Sequence, residues 1–135
     1  MATPEALAVR SFHDEVVSLI AQRWAKSFQC KVAIRPAADK HGWLMLGDRD
    51  PDIVGWQYSP DGNRIEWIAE VETDESLCDE QRWLRWNEYA TVGVPFYLFV
   101  PRGYRTTVQH VIGQAGVPVN GIYEYALVND AIQLS

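Results

Sequence analysis

No apolar run in this sequence approaches the roughly 18–20 residues that a helix needs to cross a bilayer. The chain opens Met-Ala-Thr-Pro-Glu, with no basic start and no apolar stretch behind it, so a secretory leader is not expected. Cysteine is scarce. Cys30 and Cys78 stand alone, outside any CxxC or Cys/His ligand spacing, so free thiols in a cytoplasmic protein are expected rather than a disulfide or a zinc site. Basic excess is missing too: 12 Lys and Arg against 18 Asp and Glu leave a net charge of −6, which counts against a non-specific nucleic-acid binder. There is no Gly-rich phosphate loop, nucleophile elbow or HExxH. His13, His41 and His110 lie far apart and without ligand spacing, so each is expected to be a surface or capping residue. Internal repeats, low-complexity tracts and linkers are also absent.

What remains is enough for a single domain spanning 1–135. Apolar residues make up 47% of the chain, charged residues only 22%, and six Trp, six Tyr and four Phe need burying. Thr3-Pro4-Glu5 suits a helix start, followed by Phe12, Val16, Leu19/Ile20, Trp24 and Phe28 at helical spacing. Cys30 to Arg35 is β-like and is stopped by Pro36. Ala37 to His41 is expected to be a loop and Trp43 to Leu46 a short strand. Asp52 to Tyr58 and Ile65 to Glu72 form a hairpin across Ser59 to Asn63, with the first strand weakened at Gly55. Ser76 caps a second helix, with Trp83, Trp86 and Ala90 on one face and Gly93 and Pro95 ending it. Phe96 to Val100 is a strand buried on both sides. A third helix runs from about Tyr104 to Ala115, with Val108, Val111, Ile112 and Ala115 inward, and Ile122 to Val128 is the last strand. The β-α-β passage from Ile65 to Val100 implies a parallel crossover, hence an α/β fold with a mixed central sheet flanked by helices on both faces.

Acid is concentrated locally. Between Glu66 and Glu80 there are seven carboxylates and no Lys or Arg. Side chains alternate along a strand, so Ile65, Trp67, Ala69 and Val71 share one face and Glu66, Ile68, Glu70 and Glu72 the other. On the partner strand Asp52, Val54, Trp56 and Tyr58 share a face. An odd-length loop pairs Tyr58 with Arg64 and sets Asp52 opposite Glu70; an even-length loop puts the two on different faces. Clustered carboxylates repel one another unless a cation joins them, and Mg²⁺ takes one or two carboxylates plus water and phosphate oxygens. Solvated acids on an open sheet face explain the same spacing equally well.

Pro51-Asp52 followed by Glu70-Val71-Glu72 resembles the signature of the PD-(D/E)xK nuclease superfamily, the restriction-endonuclease-like fold. The order helix, three strands, helix, strand matches that family's αβββαβ core. The stretches Glu70-Val71-Glu72-Thr73, Ser76, Glu80-Gln81, Trp83 and Pro95 to Pro101 look like those of small bacterial members. The resemblance implies a Mg²⁺- or Mn²⁺-dependent nuclease or phosphodiesterase acting on nucleic acid. Asp52, Glu70 and the backbone carbonyl of Val71 would bind metal, with Asp52, Glu70 and Glu72 catalytic. An acid on the first helix, Glu15 or Asp14, would assist, as would Gln81 on the second. Glu72 stands where the family's catalytic lysine is expected, and would act as base or extra ligand. The missing lysine and net acidity suit a second function instead: an inactive nuclease fold serving as a binding or regulatory module, with a protein partner or a second copy of itself. Trp56 shares the parity of Asp52 and could line the site. Arg82, Arg85, Arg102 and Arg105 are scattered, and are expected to balance acid rather than to hold phosphate.

Overall fold

The computed structural model describes residues 4–27, 30–34, 43–44 and 51–135, with the side chains of 12–27, 30–34 and 51–135. The Thr3 cap, Phe28, Pro36, the loop from Ala37 to His41 and the Leu46 end of the second strand lie outside the described residues.

The first helix, α1, spans Pro4–Ser27. Strands follow at Lys31–Ile34 (β1), Trp43–Leu44 (β2), Ile53–Ser59 (β3) and Gly62–Val71 (β4). After a 3-10 turn at Ser76–Cys78 come α2 (Glu80–Ala90), β5 (Phe96–Pro101), α3 (Arg105–Ala115), β6 (Gly121–Val128) and β7 (Ala131–Leu134). Among the described residues, all seven strands join one mixed sheet in the order β1-β3-β4-β5-β6-β7, with β2 beside β4. β4 runs antiparallel to β3 and parallel to β5, and β5 runs parallel to β6. This is the expected α/β architecture.

Two cores lie on the two faces of the sheet. On one, Val16, Val17, Ile20 and Trp24 of α1 pack on Trp67 and Phe99. On the other, Trp86 and Tyr89 of α2 and Val108 of α3 pack on Ile68, Phe96 and Leu98. β5 therefore feeds both cores, Phe99 into one and Leu98 into the other, as a continuously apolar strand should. The α1 stripe is shifted from its expected start. Phe12 is 45% exposed, and the inward positions run through Val16, Val17, Ile20 and Trp24.

The β3–β4 hairpin turns tightly through Pro60-Asp61, with Ser59 opposite Gly62 and Tyr58 opposite Asn63 rather than Arg64. Such an even turn would place Asp52 and Glu70 on different faces. A β-bulge undoes this: Trp56 pairs with Ile65, but Gly55 pairs with Trp67, leaving Glu66 as the extra residue. Past the bulge Ile53 faces Ala69, so Asp52 comes next to Glu70. Ile65 consequently leaves the expected face of Trp67 and joins Ile68 in the second core. Gly55 makes the bulge feasible. A Cβ there would lie 2.1 Å from the Trp67 indole nitrogen, so only glycine lets the ring cross β3.

Other ends differ from expectation for local reasons. Asp79, not Ser76, caps α2, accepting the Gln81 amide at 3.0 Å. Ala115 is exposed, and Val117 beyond the left-handed Gly116 takes the buried place. β6 is not the last strand: Asn129 and Asp130 both adopt positive φ and turn the chain into β7.

Candidate functional site

The site forms where β3 begins and β4 ends, one position beyond the last regular β3–β4 pair. The Asp52 amide donates to Glu70 Oε1 at 2.7 Å, and the Val71 amide donates to Asp52 Oδ2 at 2.9 Å. These reciprocal bonds extend the ladder with side chains in place of backbone and fix both carboxylates at the join of the two strands. Asp52, Glu70 and Glu72 are the buried polar side chains of the described residues, at 8%, 1% and 0% exposure. Burial pushes the Glu70 carboxyl well above the ordinary range, with the charges of Asp52 and Glu72 adding to the effect.

Glu72 sits differently. Ser76 Oγ donates to its Oε2 at 2.5 Å, and the Trp86 indole donates to its Oε1 at 3.1 Å. Its backbone carbonyl accepts the Tyr125 hydroxyl at 2.6 Å, and Arg82 Nε stands 3.9 Å from Oε2. Burial raises its pKa, while the bonds from Ser76 and Trp86 oppose the rise. Glu72 thus ties the end of β4 to α2 and β6. Arg82, set aside from the sequence as a charge balance for the helix start, is the cation beside this carboxylate.

His13 completes the cluster, and the sequence pattern did not single it out. Its Nε2 lies 3.1 Å from the Val71 carbonyl and 3.4 Å from Asp52 Oδ2, while Nδ1 faces Asp14 Oδ1 at 3.5 Å. The hydrogen bond with Asp52 is the main cause of its raised pKa, against the opposing effect of burial. The signal was present in the spacing. His13 precedes Val16/Val17, Ile20 and Trp24 by three or four, seven and eleven positions, on the buried stripe. Of the expected helpers, Asp14 reaches the cluster through His13. Glu15 and Gln81 are exposed, and no described contact ties either to the carboxylates.

Asp52 and Glu70 fit a Mg²⁺ or Mn²⁺ ion as a pair of oxygen donors, with the Val71 carbonyl adjacent. Both Glu72 oxygens already accept hydrogen bonds, from Ser76 and Trp86. Among the described residues no group of three or more His, Cys, Asp and Glu side chains is arranged to hold a metal ion. No helix of the described residues is long and apolar enough to cross a membrane. No protein-family model, curated protein or solved structure matches the chain.

Proposed function

We infer that this chain is a divalent-metal-dependent hydrolase of phosphodiester bonds in nucleic acid. The observation that carries this reading is the locked pair of buried carboxylates, Asp52 opposite Glu70. Two acids taken out of water side by side are unstable unless a proton or a cation joins them. Their sequence frame, Pro51-Asp52 with Glu70-Val71-Glu72, resembles that of the PD-(D/E)xK nucleases. A bound Mg²⁺ or Mn²⁺ would supply an activated water and offset charge growing on the phosphate. Asp52 and Glu70 would hold that ion with the Val71 carbonyl. Glu72 would act from behind, fixing the end of β4 through Ser76, Trp86 and Tyr125 so that Glu70 and Val71 keep their aim.

The occupancy of Glu72 favours a second reading. No lysine stands in its place, and its oxygens are committed to the fold, as suits a nuclease-like domain that binds without cutting. Cleavage assays on single- and double-stranded DNA and RNA with Mn²⁺ and Mg²⁺ test the two. Wild-type cutting should fall by roughly 10²-fold or more in Asp52→Asn and Glu70→Gln, the loss expected of a key electrostatic contact. Metal binding without cutting would leave the binding module. Cutting that survives Asp52→Asn would overturn the metal pair.

A further inference from the structure

We propose that Arg82 is the phosphate-binding residue of this site, its guanidinium taking the non-bridging oxygens of a nucleic-acid phosphate brought up to the Asp52–Glu70 pair. This rests on the nucleic-acid reading above and adds to it the group that receives the anion. Clustered carboxylates repel a polyanion unless positive charge meets it there. Among the described residues, His13 and Arg82 are the cationic side chains that stand against these acids. His13 is already committed, since its Nε2 is engaged by the Val71 carbonyl and Asp52. Arg82 is not. Its Nε lies 3.9 Å from Glu72 Oε2, beyond hydrogen-bond distance, and Glu72 already accepts hydrogen bonds from Ser76 and Trp86. Among the described residues the Arg82 guanidinium donates no hydrogen bond.

An arginine carries five N–H donors in a planar fork, and a partly buried one normally gives some of them to the fold. Arg102 and Arg105 do so: Arg102 Nη2 donates to Gln133 Oε1 at 3.0 Å, and Arg105 Nη2 donates to the Ser135 carbonyl. Arg82 keeps its fork although its side chain is only 31% exposed. Its position is fixed by the backbone. It lies in the first turn of α2, where Asp79 caps the helix and the Asp79 carbonyl accepts the Arg82 amide at 3.0 Å. Trp86, one turn further on the same side, bonds to Glu72 and holds that turn against the end of β4. The charge of Arg82 opposes the rise in pKa of Glu70 as well as of Glu72, so it acts within electrostatic reach of the Asp52–Glu70 pair. A guanidinium fork matches two oxygens of one phosphate, which an ammonium does not.

The test is the affinity of the intact wild type, Arg82→Gln and Arg23→Gln for fluorescein-labelled DNA and RNA, single- and double-stranded, read by anisotropy in Mg²⁺. Phosphorothioate linkages keep the probes from being cut. Arg23 is exposed on α1, roughly 15 Å along the helix from His13, and its replacement removes the same charge. Arg82→Gln should lose roughly 10–100-fold in affinity, as expected when hydrogen bonds to a charged group are removed. The slope of log affinity against log salt should become shallower by about 0.7–0.9, one phosphate contact, whereas loss of a mere brace for Glu72 would leave it unmoved. Arg23→Gln should bind as wild type does. Equal affinity, an unchanged slope, or the same loss in Arg23→Gln would overturn the assignment while leaving the nucleic-acid reading in place. Absence of binding of any probe to wild type would overturn that reading and this contact together. Should Arg82→Gln not fold, arginine-selective labelling of wild type with phenylglyoxal decides the matter. Bound probe should shield Arg82 and not Arg23, and equal labelling of Arg82 with and without probe would overturn the proposal.

Discussion

Gly55→Ala is expected to be among the most damaging single-methyl changes in this protein. The added Cβ would lie 2.1, 2.2 and 2.7 Å from three atoms of the Trp67 indole, all inside any real contact distance. The ring has little room to retreat. It is 4% exposed and packs edge-on to Trp24, with centroids 5.1 Å apart, and Tyr97 lies 6.5 Å away. Overpacking a tight core typically costs about 1–3 kcal/mol, and a clash of this severity with a confined ring belongs at the upper end. For a domain of this size about 3 kcal/mol corresponds to a fall of about 10 °C in melting temperature. Thermal and urea unfolding of wild type, Gly55→Ala, Trp67→Phe and the double variant measure it. Because the two residues touch, the double variant should be more stable than additivity predicts, by about 1 kcal/mol or more. A Gly55→Ala protein that melts within about 1 °C of wild type, or strictly additive effects, would refute the claim that Trp67 crossing Gly55 shapes the bulge.

Glu72→Lys should destabilise the protein by about 3–5 kcal/mol in urea unfolding, because it removes a buried acceptor from Trp86 and Ser76 and sets a second cation beside Arg82. A variant as stable as wild type that gains cleavage would show that Glu72 is not a brace. Glu124 accepts the amides of Gly103 and Arg105 at the start of α3, which holds its carboxyl below the ordinary 4.5. A depressed folded pKa gives stability that is present above the unfolded value and lost as pH falls through the folded one. Wild type should therefore melt above Glu124→Gln at pH 7, with the gap closing as pH drops below about 4.5; a gap that is constant from pH 7 to pH 3 would refute it.

The helices and the mixed sheet were legible because each rests on a local pattern: the stripe of Val16, Ile20 and Trp24, the wholly apolar Phe96 to Val100, and the Pro and Gly stops between them. β7 was legible in principle, since Asn129-Asp130 is a residue pair that tolerates the positive φ of a tight turn. Ser76 was misplaced as a helix cap because its hydroxyl serves the buried Glu72 carboxylate, a partner chosen by the fold and invisible to spacing.

The hairpin shows most clearly where sequence logic stops. An odd loop was needed to bring Asp52 across from Glu70, yet the turn is even; the inserted residue lies instead within β4 at Glu66. Turn parity and bulge parity cancel, so the pairing follows although the loop assigned to it does not. Nothing within β4 itself marks Glu66 as the extra residue, because the bulge is tied to the Trp67 ring passing over Gly55 of another strand. The same reasoning explains His13. Its helix spacing places it inward, but only the join of β3 to β4 puts a carbonyl and a carboxylate where its ring arrives. Alternation predicts which face a carboxylate takes, and the contacts between elements decide what it meets there.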